Sequence, residues 1–327
     1  VIFTKGDYLI DENIIFPKNI NVILEAGSNI KIMPNKSILI KGNLQINGKK
    51  NNEVKISNAL EDIPFGVFAA VGNMNTICSI NYLELSGGSE TILENKYLSG
   101  ALSIYSQKET IIKNSKFTNN VADDAINVKN SNVKLINNYF DSNFSDNVDL
   151  DYVKGLIILN VFKNTNNNLN NSSNGDGLDI SGSKVYVFDS LFDKFKDKGI
   201  SVGENSKVII HQSTLKNNNS GIAIKDSSKV YLGTNKLENN KIDINMFVKK
   251  KIFNHPNLYI IFSNRNSKTD IEHNNQAVIF ISTDGFNSHK NKFNIDKKNI
   301  DIKYMDELFF ILEKNNWINT DNINKKN

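Results

Sequence analysis

The chain has 327 residues, 39% of them hydrophobic and 23% charged, with a formal net charge of +4. That is enough apolar material for a substantial core. The basic residues are nearly all lysine, with Arg265 the sole arginine, so bidentate phosphate or base recognition has almost no raw material and nucleic acid is excluded as an expected partner. Cys78 stands alone, which excludes an intramolecular disulfide framework and a thiolate metal site. No run is long enough to span a bilayer, and with neither an initial Met nor a charged-then-apolar leader the chain reads as a fragment or a processed product, with a fused upstream domain among its expected partners.

In chain order, residues 1–12 read as an N-terminal cap over the exposed strand edges of the first coil. From Asn13 to Ser57, apolar residues alternate at period two, as in Ile20, Val22 and Leu24 or Ile30 and Ile32, and Ala26-Gly27-Ser28, Pro34-Asn35 and Asn47-Gly48 supply turns between short strands. Between Leu60 and Ser99 the period is less clean. There Phe65 and Phe68 read as core of an irregular coil, with a sugar-stacking platform as the competing reading.

From Ala101 to Ile244 one phrase returns, an apolar residue, a small or polar residue, then an apolar residue. It is centred on Ser103, Asn127, Asp149, Asp179, Ser201, Ala223 and Asp243, in steps of 24, 22, 30, 22, 22 and 20. A period of this size is the signature of a solenoid with one supersecondary unit per turn. A second column, Phe117, Phe140, Phe162, Phe192, Leu215 and Leu237, keeps the same register. The β-branched content and the period of two within units such as Val185-Tyr186-Val187-Phe188 favour strands. The expected fold is therefore all-β, a single-stranded parallel β-helix over residues 13–246 with terminal caps. Asparagine, about one residue in six, suits a fold with a turn at every strand end because it tolerates left-handed conformations; an AT-rich genome is the other reading.

The thirty-residue step is lengthened by residues 164–174, rich in Asn, and extra length in a solenoid is expelled as a loop on one face. That loop should rim the face on which Asp176 lies. Residues 247–327 read as a C-terminal cap of strands around Leu258 to Phe262 and Ala277 to Ile281 and a short helix from Asp306 to Trp317, with Asp306 as its N-cap. His255, His273 and His289 are too far apart for a metal motif and read as surface residues.

The repeat resembles the right-handed parallel β-helix proteins of the pectin-lyase type over about Asn13 to Asn245. Asp123-Asp124, Asp149-Leu150-Asp151, Gly175-Asp176-Gly177-Leu178-Asp179 and Asp197-Lys198-Gly199-Ile200-Ser201 also resemble bacterial β-helix modules, some of which follow a CotH-like kinase domain. The resemblance implies right-handed coiling, an extracellular or cell-surface location and a polysaccharide or cell-surface glycan as partner. The fold hosts lyases, hydrolases, epimerases, adhesins and inert scaffolds, so it implies no single activity. The Gly-His-Gly and Arg-Ile-Lys coils of polygalacturonases and the Asp-Pro-His-Asp of the epimerases are missing.

If Leu178 and Ile180 point inward, Asp179 points outward, and so do Asp149, Asp151, Asn127, Ser201 and Ala223. Asp124, Asp146 and Asp176 occupy the turn before the same strand, where Lys198 comes in the next coil, with Lys225 and Lys129 flanking. Asp149 and Asp179 should stack about 5 Å apart, where two unit charges repel by roughly 3 kcal/mol at an effective dielectric near 20. A cation, a shared proton or the lysines must offset this.

Three readings stay open. In one, Asp149, Asp179 and Lys198 are catalytic in a glycoside hydrolase, polysaccharide lyase or uronate epimerase, with Asp124, Asn127, Asp176, Ser201 and Lys225 binding substrate. In another, Asp149, Asp151, Asp176 and Asp179 hold calcium, which acidifies the proton next to a uronate carboxylate, and Lys198 or Lys225 is the base for β-elimination or epimerisation. In the last, the aspartates cap turn amides in a glycan-binding module or an adhesin scaffold without catalysis.

Overall fold

The structure, a computed structural model, describes residues 1–165, 175–260, 271–273, 278–282, 302–314 and 317–319. Among these, strands from Ile2 to Phe247 succeed one another through three long sheets in rotation, one strand on each per turn, with one two-stranded hairpin inserted. Beyond Phe247 further strands join only the first and third sheets, which reach 13 and 11 strands against 10 in the second. Pairing is parallel throughout the coils, for example Asp124–Lys129 on Asp146–Asp151 in the third sheet. The rotation begins with Ile2–Phe3, Gly6–Ile10 and Ile14–Phe16, so the first residues form a coil of their own. Parallel pairing also continues past Met246, where Asn257–Ile260 extends the first sheet and Ile271–His273 the third.

The alternation read from the sequence sets what is inside. Ile126, Val148, Leu178, Ile200 and Ile222 stand in one row of Cα partners, each fully buried. Phe117, Phe140, Phe162 and Phe192 stack with ring centroids 5.1, 4.8 and 4.6 Å apart. This spacing is the strand spacing, so each ring rests on its equivalent in the next coil. Phe65 and Phe68 are core residues.

Asparagine has two structural uses. Some hold corners with positive φ, such as Asn114, Asn119, Asn130 and Asn137 at 51–55°, where a side chain that bonds locally tolerates the left-handed region. Others are buried and continue the backbone ladder: Asn138 Nδ2 donates to the Ile112 carbonyl at 2.9 Å, while Asn160 Oδ1 accepts the Asn138 amide at 2.9 Å. Buried corner amides are thereby satisfied coil after coil.

The helix Ile302–Glu313 lies on the outer face of the first sheet. Its Met305, Leu308, Phe309 and Leu312 pack on Leu156, Ile158, Tyr186, Phe188, Ile209 and Tyr231, side chains that point away from the solenoid core. The helix starts four residues before Asp306, which is no N-cap but an ion-pair partner of Lys154 and Lys184 inside the helix. The earlier start brings Met305 into the helix, at helical spacing with Leu308, Phe309 and Leu312 on the face that packs against the sheet.

A carboxylate recess on the third sheet

The outer face of the third sheet carries three columns of side chains, because equivalent residues of successive strands align, with Asn127 and Lys129 alternating outward and Asp124 facing out ahead of two core residues, Ala125 and Ile126. The first is Asp124, Asp146, Asp176 and Lys198. The second is Asn127, Asp149, Asp179, Ser201 and Ala223, and the third Lys129, Asp151, Ser181, Gly203 and Lys225.

A hairpin covers the amino-terminal part of this face. It pairs Thr91–Leu93 with Lys96–Leu98, and Leu93 and Leu98 pack on Leu39, Val67, Ala69, Val71 and Tyr105. The acidic coils lie beyond it. Lys225 leans back over Gly203, where a Cβ would sit 3.4 Å from its Cε, and its ammonium stops 4.0 Å from Asp179. The face is therefore a recess: Asn127 and Ser201 are fully buried, and Asp124, Asp176 and Lys225 nearly so.

Oxygens of Asp146, Asp176 and Asp179 converge, all within 4.8 Å of one another. Asp146 Oδ1 accepts the Asp176 amide at 2.6 Å, and Asp179 Oδ1 accepts the Ile180 amide at 3.0 Å. Asp176 accepts both the Lys198 amide at 3.1 Å and the Lys198 ammonium at 3.2 Å. Lys198 also pairs with Asp197. On the strand of Asp146 itself, Asp149 accepts the Asn127 side-chain amide at 2.7 Å, and Asp151 pairs with Lys129 at 2.9 Å.

The residues expected to form one cation site thus divide. Asp176 and Asp179 converge with Asp146, whereas Asp149 is taken up by Asn127 and Asp151 by Lys129. Asp149 and Asp179 are Cα partners in adjacent strands. Asp146 opens its strand as Asp124 does, in the position that Asp176 holds in the next coil, so aligning the repeats was the signal for it. Tyr97 gave no such signal, because the hairpin interrupts the period; its ring is about half exposed, and its hydroxyl pKa is raised by partial burial and by Glu90, Asp123 and Asp124.

Burial pushes the recess carboxylates toward protonation. It raises Asp124 to about 7 and Asp176 to about 6, with Lys198 acting against the rise at Asp176. Asp146 is held well above the ordinary carboxylate range by burial, then by Asp176 and Asp179. Asp149 is raised by burial, then by Asp124 and Asp151. Lys198 behaves oppositely: burial opposes its charge, but Asp176 and Asp197 outweigh that and raise its pKa. It is a held cation, poorly placed to accept a proton as a catalytic base. Two buried oxygens on this face, Asn127 Oδ1 and Ser201 Oγ, have no hydrogen-bond partner among the described residues, while a hydrogen bond from Ser99 acts against the rise at Asp124. The loop expected at residues 164–174 falls mainly on residues outside those described.

Three stacked parallel sheets in coil order define a parallel β-helix. The chain belongs to the family described as "Right handed beta helix region", which matches residues 100–304. No curated protein sequence matches it. Similar solved structures include the ORF18 protein of Geobacillus virus E2, at 13% identity and a TM-score of 0.45, covering 86% of this chain and 53% of that one. Tailspike protein 3 of bacteriophage CBA120 matches at 10% identity and a TM-score of 0.45, with 86% and 55% coverage. The A-module of a mannuronan C-5 epimerase from Azotobacter vinelandii matches at 9% identity and a TM-score of 0.39, with 85% and 87% coverage. The chain spans about half the length of the first two. These similarities carry no functional inference for this chain. Among the described residues no helix is long and apolar enough to cross a membrane.

Proposed function

We propose that the chain is a carbohydrate-processing β-helix module that takes an extracellular polysaccharide along the third sheet and works on it at the carboxylate recess. The observation that carries this reading is the convergence of Asp146, Asp176 and Asp179 within 4.8 Å, at the rim of a face where buried polar oxygens lack partners among the described residues. Carboxylates about 5 Å apart suit a retaining hydrolase, in which one carboxyl group protonates the leaving oxygen and the other stabilises or attacks the sugar. Asp176, with a pKa of about 6, is suited to the acid role at mildly acidic to neutral pH. Asp179 is its partner carboxylate, and Asp146 fixes Asp176 through its amide. Lys198 and Lys225 border the site as fixed cations.

The convergence also supports a second reading, a hard divalent cation such as calcium held by the same three carboxylates, which would remove their mutual repulsion and bind acidic sugars. The expected assay outcome is new reducing ends from one member of a polysaccharide panel. Asp176→Asn and Asp179→Asn should each lower the rate by at least about 100-fold. Full activity in both variants would overturn the hydrolytic reading. Activity abolished by a chelator and restored by calcium would transfer the chemistry to the cation.

A further inference from the structure

The first sheet carries a second charged column, on a different face from the recess. Lys154, Lys184, Lys207 and Lys229 are successive Cα partners at the first position of their strands. Parallel strands set such residues about 4.8 Å apart, so four ammonium stems rise from one line and repel unless anions lie between them. The helix supplies two. Asp306 meets Lys184 at 2.7 Å and Lys154 at 3.5 Å, and Glu313 meets Lys207 at 2.6 Å. Among the described residues Lys229 makes no ion pair within 4.0 Å, and Lys154, half exposed, has only the long contact to a carboxylate it shares. Two carboxylates therefore answer four lysines.

A pocket of about 550 Å³ opens beside this column, along the corners that lead from the third sheet into the first, lined by Lys154, Lys184, Lys207, Tyr152, Asn205 and Met74 among others. Tyr152 sits at a left-handed corner with φ 54° and is 62% exposed. Its ring lies over Gly182, where a Cβ would come within 2.6 Å of Cε1, so the missing side chain lets the ring lie flat on the corner. An aromatic face beside lysines and an asparagine side chain is the equipment for a ring that carries both hydroxyls and negative charge.

We infer that this pocket and the lysine column bind an anionic glycan, a sugar chain bearing carboxylate or sulfate groups, with a sugar ring on Tyr152 and successive anions on Lys154, Lys184, Lys207 and Lys229. Asp306 and Glu313 already show the column engaging carboxylates. The two carboxylates are about two-fifths exposed, as is Lys207, and Lys154 is half exposed, while Lys184 is more covered beneath Phe309, so a polyanion can exchange most readily at Lys154 and Lys207. Arginine is absent from the column, which suits point-charge attraction to a flexible polyanion over bidentate reading of nucleic-acid phosphates. This site stands independently of the recess, since none of its residues belongs to the three acidic columns.

The test uses one polymer backbone in three forms, neutral dextran, carboxymethyl dextran and dextran sulfate, by calorimetry against the whole chain at low and moderate salt. The charged forms should bind, more weakly as salt rises, while dextran and inorganic phosphate alone should not bind measurably. Lys154→Gln/Lys229→Gln should weaken binding of the charged form by about tenfold, and Tyr152→Ala by several-fold, with circular dichroism confirming folded protein. Asp176→Asn should leave it unchanged, which separates this site from the recess. Binding unaffected by the lysine and tyrosine variants, or an equal or greater affinity for single-stranded DNA, would overturn the inference; a preference between the carboxymethyl and sulfate forms would identify the anion.

Discussion

The outer faces of the first and third sheets are built from the same coils at the same spacing, yet they handle charge oppositely. On the first sheet a column of lysines meets Asp306 and Glu313 from a helix that also buries Leu156, Tyr186, Ile209 and Tyr231. On the third sheet carboxylates stack on carboxylates, and of the converging three Asp176 meets Lys198 at 3.2 Å and Asp179 meets Lys225 at 4.0 Å, while Asp146 has no lysine partner among the described residues. Repetition in a solenoid multiplies whatever a column carries, so a column of like charge is unfavourable by default. The lysine column is offset in part by two carboxylates of the chain, whereas on the third sheet burial and neighbouring charge push Asp124, Asp146, Asp149 and Asp176 toward protonation.

The largest expected effect concerns the shared interior on which both faces stand. Phe162 is fully buried, sandwiched at 4.8 and 4.6 Å between Phe140 and Phe192, so Phe162→Ala should cost about 3–5 kcal/mol by cavity formation. A loss under about 1 kcal/mol in denaturant melts would remove the frame that sets the two faces in register.

The pH dependence sharpens the contrast next. A carboxylate whose pKa is raised in the folded state binds more protons there than in the unfolded chain, so stability falls as pH rises from the unfolded value to the folded one. For Asp176 and Asp124 that window runs from the ordinary value of 3.8 to about 6 and about 7. Asp306 and Glu313 are depressed, chiefly by their hydrogen bonds from Lys184 and Lys207, so their contribution is present above the unfolded value and lost as pH falls through the folded one. Stability should peak between these effects, at mildly acidic pH. Asp124→Asn should stabilise the protein on the order of 1–3 kcal/mol at pH 8 and little near pH 4. A melting temperature that rises steadily from pH 5 to 8 would contradict the recess as described.

The smallest effect belongs to the compensated face. Lys184→Gln removes a partly exposed pair and should cost below about 1 kcal/mol, detectable as earlier proteolysis of the helix. A cooperative loss of the whole fold would show that the helix is integral to the solenoid.

The solenoid was legible in the sequence because its cause is periodic. Ile126, Val148, Leu178, Ile200 and Ile222 recur at the coil length, and the stacked phenylalanines come from the same count. The acidic face was legible for the same reason, and with it the adjacency of Asp149 and Asp179. Which carboxylates converge was not legible, because it depends on lateral reach across columns. Asn127 draws Asp149 and Lys129 draws Asp151, leaving Asp146 with Asp176 and Asp179. The hairpin carrying Tyr97 and the helix on the first sheet both lie outside the period, and their docking depends on apolar residues such as Leu98 and Phe309 meeting outward-facing ones.

The most direct test is a thermal melt at pH 8 with and without millimolar calcium, in the wild type and in Asp146→Asn/Asp179→Asn. Ligand binding to the native state alone raises the melting temperature by mass action. If the recess holds unanswered charge, the wild type should gain several degrees with calcium, and the double variant should melt higher without calcium and gain little from it. Equal melting temperatures in all four conditions would contradict the claim and reduce the aspartates to turn caps.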